Sequence, residues 1–333
     1  MNFDIDKIQG TAIQAIRRVQ NALKHTSPIV GNNPVQIHRG GLKSKRATGN
    51  DILAEVMANG IIHQGLHEYD PIIVGEELSE VPLENLDFTG EDRLVVLIDM
   101  VDGTDLFERR LSNWCSAMIF YHPAETNPED KIIAAFVGLP NDAIYFARRD
   151  SPEAHKILMS SSKSIKNVSG PSATISITNA SIAFYGQKIK NLLSMILNKQ
   201  SAEKASGFQK FEVHPFIANL VQLSERELGD ELRIYNLGGN PMMMRLIDGA
   251  KRIDGLFNLS GSLAHDVVPG LFIARKAGAA ARDLNGKLIS NAFLAEKLMK
   301  PANQSNRISF VLASTNELSD ELLSFAQRAP SSL

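Results

Sequence analysis

Val95-Val-Leu-Ile-Asp99-Met-Val-Asp102-Gly-Thr-Asp-Leu-Phe107 is the stretch on which the reading of the chain turns. Val95 to Ile98 are four apolar residues in a row and predict a buried strand. Two carboxylates follow, Asp99 and Asp102, separated only by Met100 and Val101. Gly103 lets the backbone turn where a side chain would clash. Thr104 puts a hydroxyl where it can cap a new segment or hold a water. A solvated Asp-Gly turn accounts for Asp102 and Gly103, but not for Asp99 at the mouth of an apolar run. Acids at the end of a buried strand are costly unless a positive group meets them. The motif contains no basic residue, so a divalent cation is the natural partner.

The chain has 333 residues, enough for a large core and about two domains by length alone. Its formal net charge of −2 gives no basic footprint for a nucleic-acid polymer. The single cysteine, Cys115, excludes an internal disulfide framework. It lies in the apolar run 115–121, where a buried structural thiol is expected rather than a nucleophile. The N-terminus is polar and amphipathic with no signal-like core, and no apolar run reaches membrane-spanning length. A soluble, cytoplasmic protein without a membrane partner is the expectation.

Ile5, Ile8, Ala12, Ile16, Val19 and Leu23 recur at three- and four-residue steps and predict an amphipathic opening helix. Residues 26–50 form a Gly-, Pro- and Lys-rich connection of a length associated with function. A second helix is expected after Asp51. Strands are expected at 71–74, 115–121, 131–137 and 143–148, the last three joined by Pro-, Asn- and Asp-containing loops. The Ser-rich run 159–172 reads as a seam between residues 1–170 and 171–333. Beyond it, 175–178 and 182–185 read as extended and 189–197 as helical, while 200–230 gives no clear period. A strand at 232–237 precedes Asn240-Pro241, which matches an N-cap and a first-turn proline for a helix reaching Ala250. Then come a strand at 253–259, a helix at 264–277 stopped by Gly278, a strand at 307–313 and a helix at 317–327.

Three further acidic features accompany the central one. Gly75-Glu76-Glu77 follows a strand, Asp266 lies at the start of a helix, and Asp51 stands three residues after Thr48. Each has an ordinary explanation, such as exposure on a loop or favourable placement at a helix start. Together they supply carboxylates at Asp51, Glu76, Asp99, Asp102 and Asp266, each beside an expected strand end or helix start. Cys and His do not recur at zinc spacing. An all-oxygen set favours a hard cation, and Mg²⁺ keeps waters that can react.

Gly75-Glu76-Glu77, then Asp99-x-x-Asp102-Gly103-Thr104, then Asp266 before an Ala-Gly-containing helix, together resemble the inositol monophosphatase family. That family belongs to a superfamily of Mg²⁺-dependent, lithium-sensitive phosphatases that includes fructose-1,6-bisphosphatase. Thr48-x-x-Asp51, the segment 238–250 and Leu312-Ala313-Ser314-Thr315 extend the resemblance over most of the chain. It implies an α/β (α+β) layered αβαβα sandwich. The N-terminal half would carry most metal ligands, and the C-terminal half the last metal Asp and the pocket wall. The implied activity is Mg²⁺-dependent hydrolysis of a small phosphate monoester by a homodimer. Fructose-1,6-bisphosphatase and 3′-phosphonucleotide phosphatase activity are the alternatives, and a non-catalytic regulatory relative a further one.

By the same resemblance, Glu76, Asp99 and the Val101 carbonyl would hold one ion, and Asp99, Asp102 and Asp266 a second. Asp51, Thr104 and Glu76 would be catalytic. Gly103, Thr104, Gly238, Gly239 and Asp266 would meet the substrate. The sequence departs from the family pattern at Met100, where Pro is usual, and at His265, where Trp is usual. Val267-Val268-Pro269 replaces a run of small residues. Members acting on inositol monophosphate have an acidic residue about seven positions before the last metal Asp, where this chain has Leu259. Inositol 1-phosphate is therefore expected to be a poor substrate, unless Asn258 or Asp254 takes the role.

Overall fold

The computed structural model describes residues 3–25, 35–37, 45–47, 49–77, 86–160, 164–184, 197–198, 212–213, 233–235, 237–248, 253–300 and 306–327. Thr48 and most of 26–50, 189–197 and 200–230 lie outside them, and with them the expectations for those segments. Two short antiparallel pairings, 35–37 with 45–47 and 197–198 with 212–213, stand apart from the main sheets.

The apolar runs form the larger sheet. Its strands are β1 (Ile72–Gly75), β2 (Val95–Asp102), β3 (Cys115–Tyr121), β4 (Ile132–Gly138), β5 (Ala143–Arg148), β6 (Ala154–Leu158) and β7 (Ile165–Asn167). They lie in chain order, antiparallel except for the parallel pair β1 and β2. The second sheet has β8 (Ser181–Phe184), β9 (Arg233–Tyr235), β10 (Gly255–Ser262), β11 (Ala280–Asp283) and β12 (Ile308–Ala313). Its order is β9-β8-β10-β12-β11, with β8 parallel to both neighbours and the rest antiparallel.

Seven helices are described: α1 (Ile5–His25), α2 (Gly49–Leu66), α3 (Thr104–Glu108), α4 (Asn240–Ile247), α5 (Ala264–Lys276), α6 (Asn291–Met299) and α7 (Asn316–Gln327). Side chains alternate across a strand, and the layers follow from that alternation. Val96, Ile98, Met118 and Phe120 face α1 and α2. Val95, Leu97, Ala117 and Ile119 face a middle layer of α4 and α5. On its other side that layer meets Ala183, Leu256, Phe310 and Leu312 of the second sheet. The far face of that sheet, with Ile182, Phe257 and Val311, packs on Leu318 and Leu322 of α7. The order is α-β-α-β-α. Strands covered on both faces must be apolar throughout, which is why β3 and β4 read as unbroken hydrophobic runs.

The structure differs from the sequence expectations in five places. The larger sheet continues through β6 and β7, so the Ser-rich segment contains a strand. That strand is exposed along its length and has no apolar run to mark it. The region around 175–178 is a 3-10 turn at Ile177–Asn179, with Ser176 Oγ accepting from Thr178 N. β11 and α6 are further elements that the periodicity did not signal. Helix α2 begins at Gly49, so Asp51 sits inside its first turn. Helix α4 is capped by Gly239 (φ 78°), and Asn240 is its first residue. Among the described residues, no helix is long and apolar enough to cross a membrane.

Candidate active site

In a regular strand, Asp99 and Asp102, three apart, would point to opposite faces. The pairing with β3 prevents it. Asp99 lies opposite Ala117 and Asp102 opposite Cys115, so β2 advances three residues while β3 advances two. The extra residue is a bulge, and it returns Asp102 to the face of Asp99. Both acids then stand on the side of the sheet that carries the middle helical layer. Val101 N donates to Asp99 Oδ1 at 3.2 Å within the bulge. The Thr104 hydroxyl donates to the Val101 carbonyl at 3.2 Å. Gly103 makes the turn at φ +96°. A Cβ there would also press on Trp114.

Parallel pairing of β1 with β2 sets Gly75 opposite Ile98, so Glu76 leaves its strand level with Asp99. The loop is held by Glu55, buried on α2, whose Oε2 accepts from Glu77 N at 2.9 Å. A Cβ on Gly75 would overlap that carboxylate. Asp51, one turn earlier on the same helix, is 4% exposed. Helix α5 brings Asp266 from the other side. Ligand atoms of Glu76, His265 and Asp266 all lie within 4.8 Å of one another.

Asn240 joins the two sides. Its Nδ2 lies 3.0 Å from Asp102 Oδ2 and 2.9 Å from the Asp266 carbonyl. Its Oδ1 accepts from Gly270 N at 2.8 Å. Asp266 and Gly270 are an i, i+4 pair of α5, and the carboxamide bridges them. Pro269 sits between them, and it has no N–H to offer the preceding turn. Gly270 is required by the same contact, since a Cβ would stand 2.6 Å from Asn240 Oδ1.

The electrostatics follow from the geometry. Burial, then the nearby Asp266, pushes the Asp102 carboxyl from 3.8 up to about 6, against the opposing bonds from Asn240 and Cys115. The Cys115 thiol donates to Asp102 Oδ2 at 3.4 Å. Its pKa is driven well above the usual thiol value by burial and by the charges of Asp102 and Asp99. It stays protonated, as a structural thiol. A pocket that raises a carboxyl by burial and acid repulsion suits a cation, which reverses both effects.

Comparison with solved structures gives the architecture its name. An inositol monophosphatase (IMPase) of Thermotoga maritima superposes with a TM-score of 0.62 at 18% identity, over 96% of each chain. An IMPase/NADP phosphatase complexed with NADP and Ca²⁺ gives a TM-score of 0.63 at 14% identity, over 98% of this chain and 97% of that one. A Ca²⁺-bound IMPase family protein of Staphylococcus aureus gives 0.60 at 13% identity, over 98% of both. The chain has the inositol monophosphatase fold. No protein-family model matches its sequence, and no curated protein does.

Within this fold, Gly238 and Gly239 are buried at the start of α4, beside Asn240. Two residues of the site were not singled out from the sequence. Glu55 had a usable signal, since it stands four residues after Asp51 and shares its helix face. Asn240 had none, because its role depends on partners far along the chain. His265, noted from the sequence only as a departure from the usual Trp, reaches the ligand cluster.

Leu259 packs with the far-face cluster of the second sheet. Asp254 is occupied elsewhere, accepting from Ser172 Oγ, Thr174 Oγ1 and Ser181 N. Asn258 is buried, its Nδ2 donating to Ser262 Oγ at 2.8 Å.

Proposed function

We propose that the protein is a divalent-cation-dependent phosphatase that hydrolyses a small phosphate monoester, with Mg²⁺ as the physiological hard cation of its oxygen sites. The observation that supports it is the convergence of Glu76, Asp266 and His265 within 4.8 Å. Beside them stand Asp102, raised by burial, and Asp99 on the same face. The oxygen donors of this set fit such ions. Glu76, Asp99, Asp102, Asp266 and the Val101 carbonyl would hold them, and the ions would supply a water of lowered pKa and stabilise the leaving oxygen.

The chain's own residues do the rest. Asp51 and Thr104 orient the attacking water. In this structure the Thr104 hydroxyl is held against the Val101 carbonyl, which fixes its position beside the acids. Gly103, Gly238 and Gly239 let the backbone come close to the phosphate without side-chain interference. Asn240 keeps Asp102 and Asp266 in register, and Glu55 does so for Glu76 through the 75–77 loop.

Inositol 1-phosphate is a poor substrate in this reading, and another small phosphate ester is preferred. Leu259 cannot accept a hydrogen bond, and Asp254 has both oxygens engaged. A site that pairs a hydroxyl discriminates far more strongly than one that only contacts it. The homodimeric assembly and cytoplasmic setting implied by the resemblance are part of this reading. Phosphate release from inositol 1-phosphate, sugar phosphates and bisphosphates, and 3′-phosphonucleotides, with and without Mg²⁺, tests it. Metal-dependent turnover of one class is expected, with inositol 1-phosphate trailing. No release from any ester would remove the phosphatase reading.

A further inference from the structure

The ligand cluster contains a nitrogen. His265 lies in the first turn of α5, its side chain only 9% exposed. Its Nε2 is buried and has no hydrogen-bond partner. That atom stands 3.1 Å from Asp266 Oδ1, close enough for a hydrogen bond but without the geometry of one. On an α-helix, residues i and i+1 do not ordinarily face each other; here both side chains turn into the same pocket. Among the described residues, the cavity alongside offers the ring no polar side chain besides Lys297 and Lys300. It is lined by Leu86, Phe88, Leu97 and Leu298, with Lys297 and Lys300 at its edge. Lys300 pairs with Glu296, and Lys297 lies over the Phe293 ring.

A buried nitrogen left without a hydrogen bond is costly. Something must offset that, and a cation does so directly. Two donors bound to one ion at about 2.1 Å stand about 3 Å apart when adjacent, which is the His265–Asp266 separation. We propose that His265 ligates a cation together with Glu76 and Asp266, two acids that the resemblance assigns to separate ions but whose ligand atoms converge here. Its nitrogen moves this site's preference from Mg²⁺ toward Mn²⁺, Co²⁺ or Zn²⁺. Mg²⁺ takes oxygen donors almost exclusively, whereas imidazole suits the later divalent metals. The inference rests on the metal-dependent reading above and adds the identity of one ligand.

The test uses the full chain loaded with Mn²⁺. Pulsed electron paramagnetic resonance reads nitrogen coupled to bound Mn²⁺, and calorimetry reads Mn²⁺ and Mg²⁺ affinities separately. The wild-type protein should show ¹⁴N coupling. His265→Gln should lose it, and its Mn²⁺-over-Mg²⁺ preference should fall roughly tenfold. Stoichiometric Mn²⁺ binding without nitrogen coupling in the wild type overturns the proposal, whether or not the variant folds. So does coupling that persists in a folded His265→Gln. Absence of stoichiometric binding by either metal overturns the broader metal-dependent reading as well, and is distinct from both outcomes.

Discussion

Asn240 Nδ2 lies 3.0 Å from Asp102 Oδ2, linking residues 138 positions apart in the chain. The same carboxamide spans Asp266 and Gly270 of α5. One side chain therefore sets the distance between the strand-end acids and the helix-borne acid. Replacing Asn240 with Ala strips three hydrogen bonds, one buried and two part-buried, and leaves their partners without them. A loss of about 2–4 kcal/mol is expected in urea unfolding, together with weaker cation binding. Asn240→Asp should be worse at neutral pH without metal, because it adds a carboxylate beside Asp102. Unfolding curves within about 0.5 kcal/mol of wild type would mean the bridge contributes little.

The Gly75–Glu55 contact makes a second prediction. Gly75→Ala should destabilise by about 1–3 kcal/mol through overlap with the Glu55 carboxylate. The double variant with Glu55→Ala should lose less than the sum of the singles. Additive losses would show that the two residues do not meet as described.

The raised pKa of Asp102 predicts a pH dependence. Between about 4 and about 6 the folded, metal-free protein keeps a proton that the unfolded chain has released. The contribution of Asp102 to the stability of the metal-free protein should therefore be greatest below about pH 4. It should fall as pH rises through about 6, then level off so far as this group is concerned. Cation binding requires the ionised carboxylate, so affinity should rise over the same interval, with protons released on binding. Asp102→Asn should flatten the stability change in that window, which calorimetry at several pH values resolves.

Asp99→Asn should nearly abolish turnover while leaving the fold intact. Its carboxylate lies on the site face of β2, and removing a charge from a repulsive cluster does not weaken the metal-free protein. Near wild-type rates at saturating Mg²⁺ would sink the assignment. Thr104→Ala should lower kcat far more than cation affinity, since its hydroxyl is assigned to water. The reverse pattern would exchange those roles.

Lithium and Ca²⁺ are expected to inhibit. Li⁺ carries one charge less than Mg²⁺, and Ca²⁺ relaxes the octahedral geometry. Steady-state assays with fixed Mg²⁺ and increasing Li⁺ or Ca²⁺ check this directly.

Local pattern determined a great deal. The apolar stretches at 95–98, 115–121 and 131–137, interrupted only by Ser116 and Lys131, pointed to strands. Asp99, Asp102 and Gly103 at the end of one of them stood out as candidate site residues, as Glu76 and Asp266 did at other element ends. Those features are legible because burial, turning and charge act on consecutive residues. Tertiary structure alone decided which acids share a face. Asp99 and Asp102 are brought together by a bulge that exists only in the register with Ala117 and Cys115. It also moved Asn240 from a helix cap to a bridge, made Glu55 the support of the 75–77 loop, and turned His265 into the acid cluster. Each of these depends on contacts between distant segments, and apart from the i, i+4 spacing of Asp51 and Glu55 such contacts leave no periodic mark on either segment by itself.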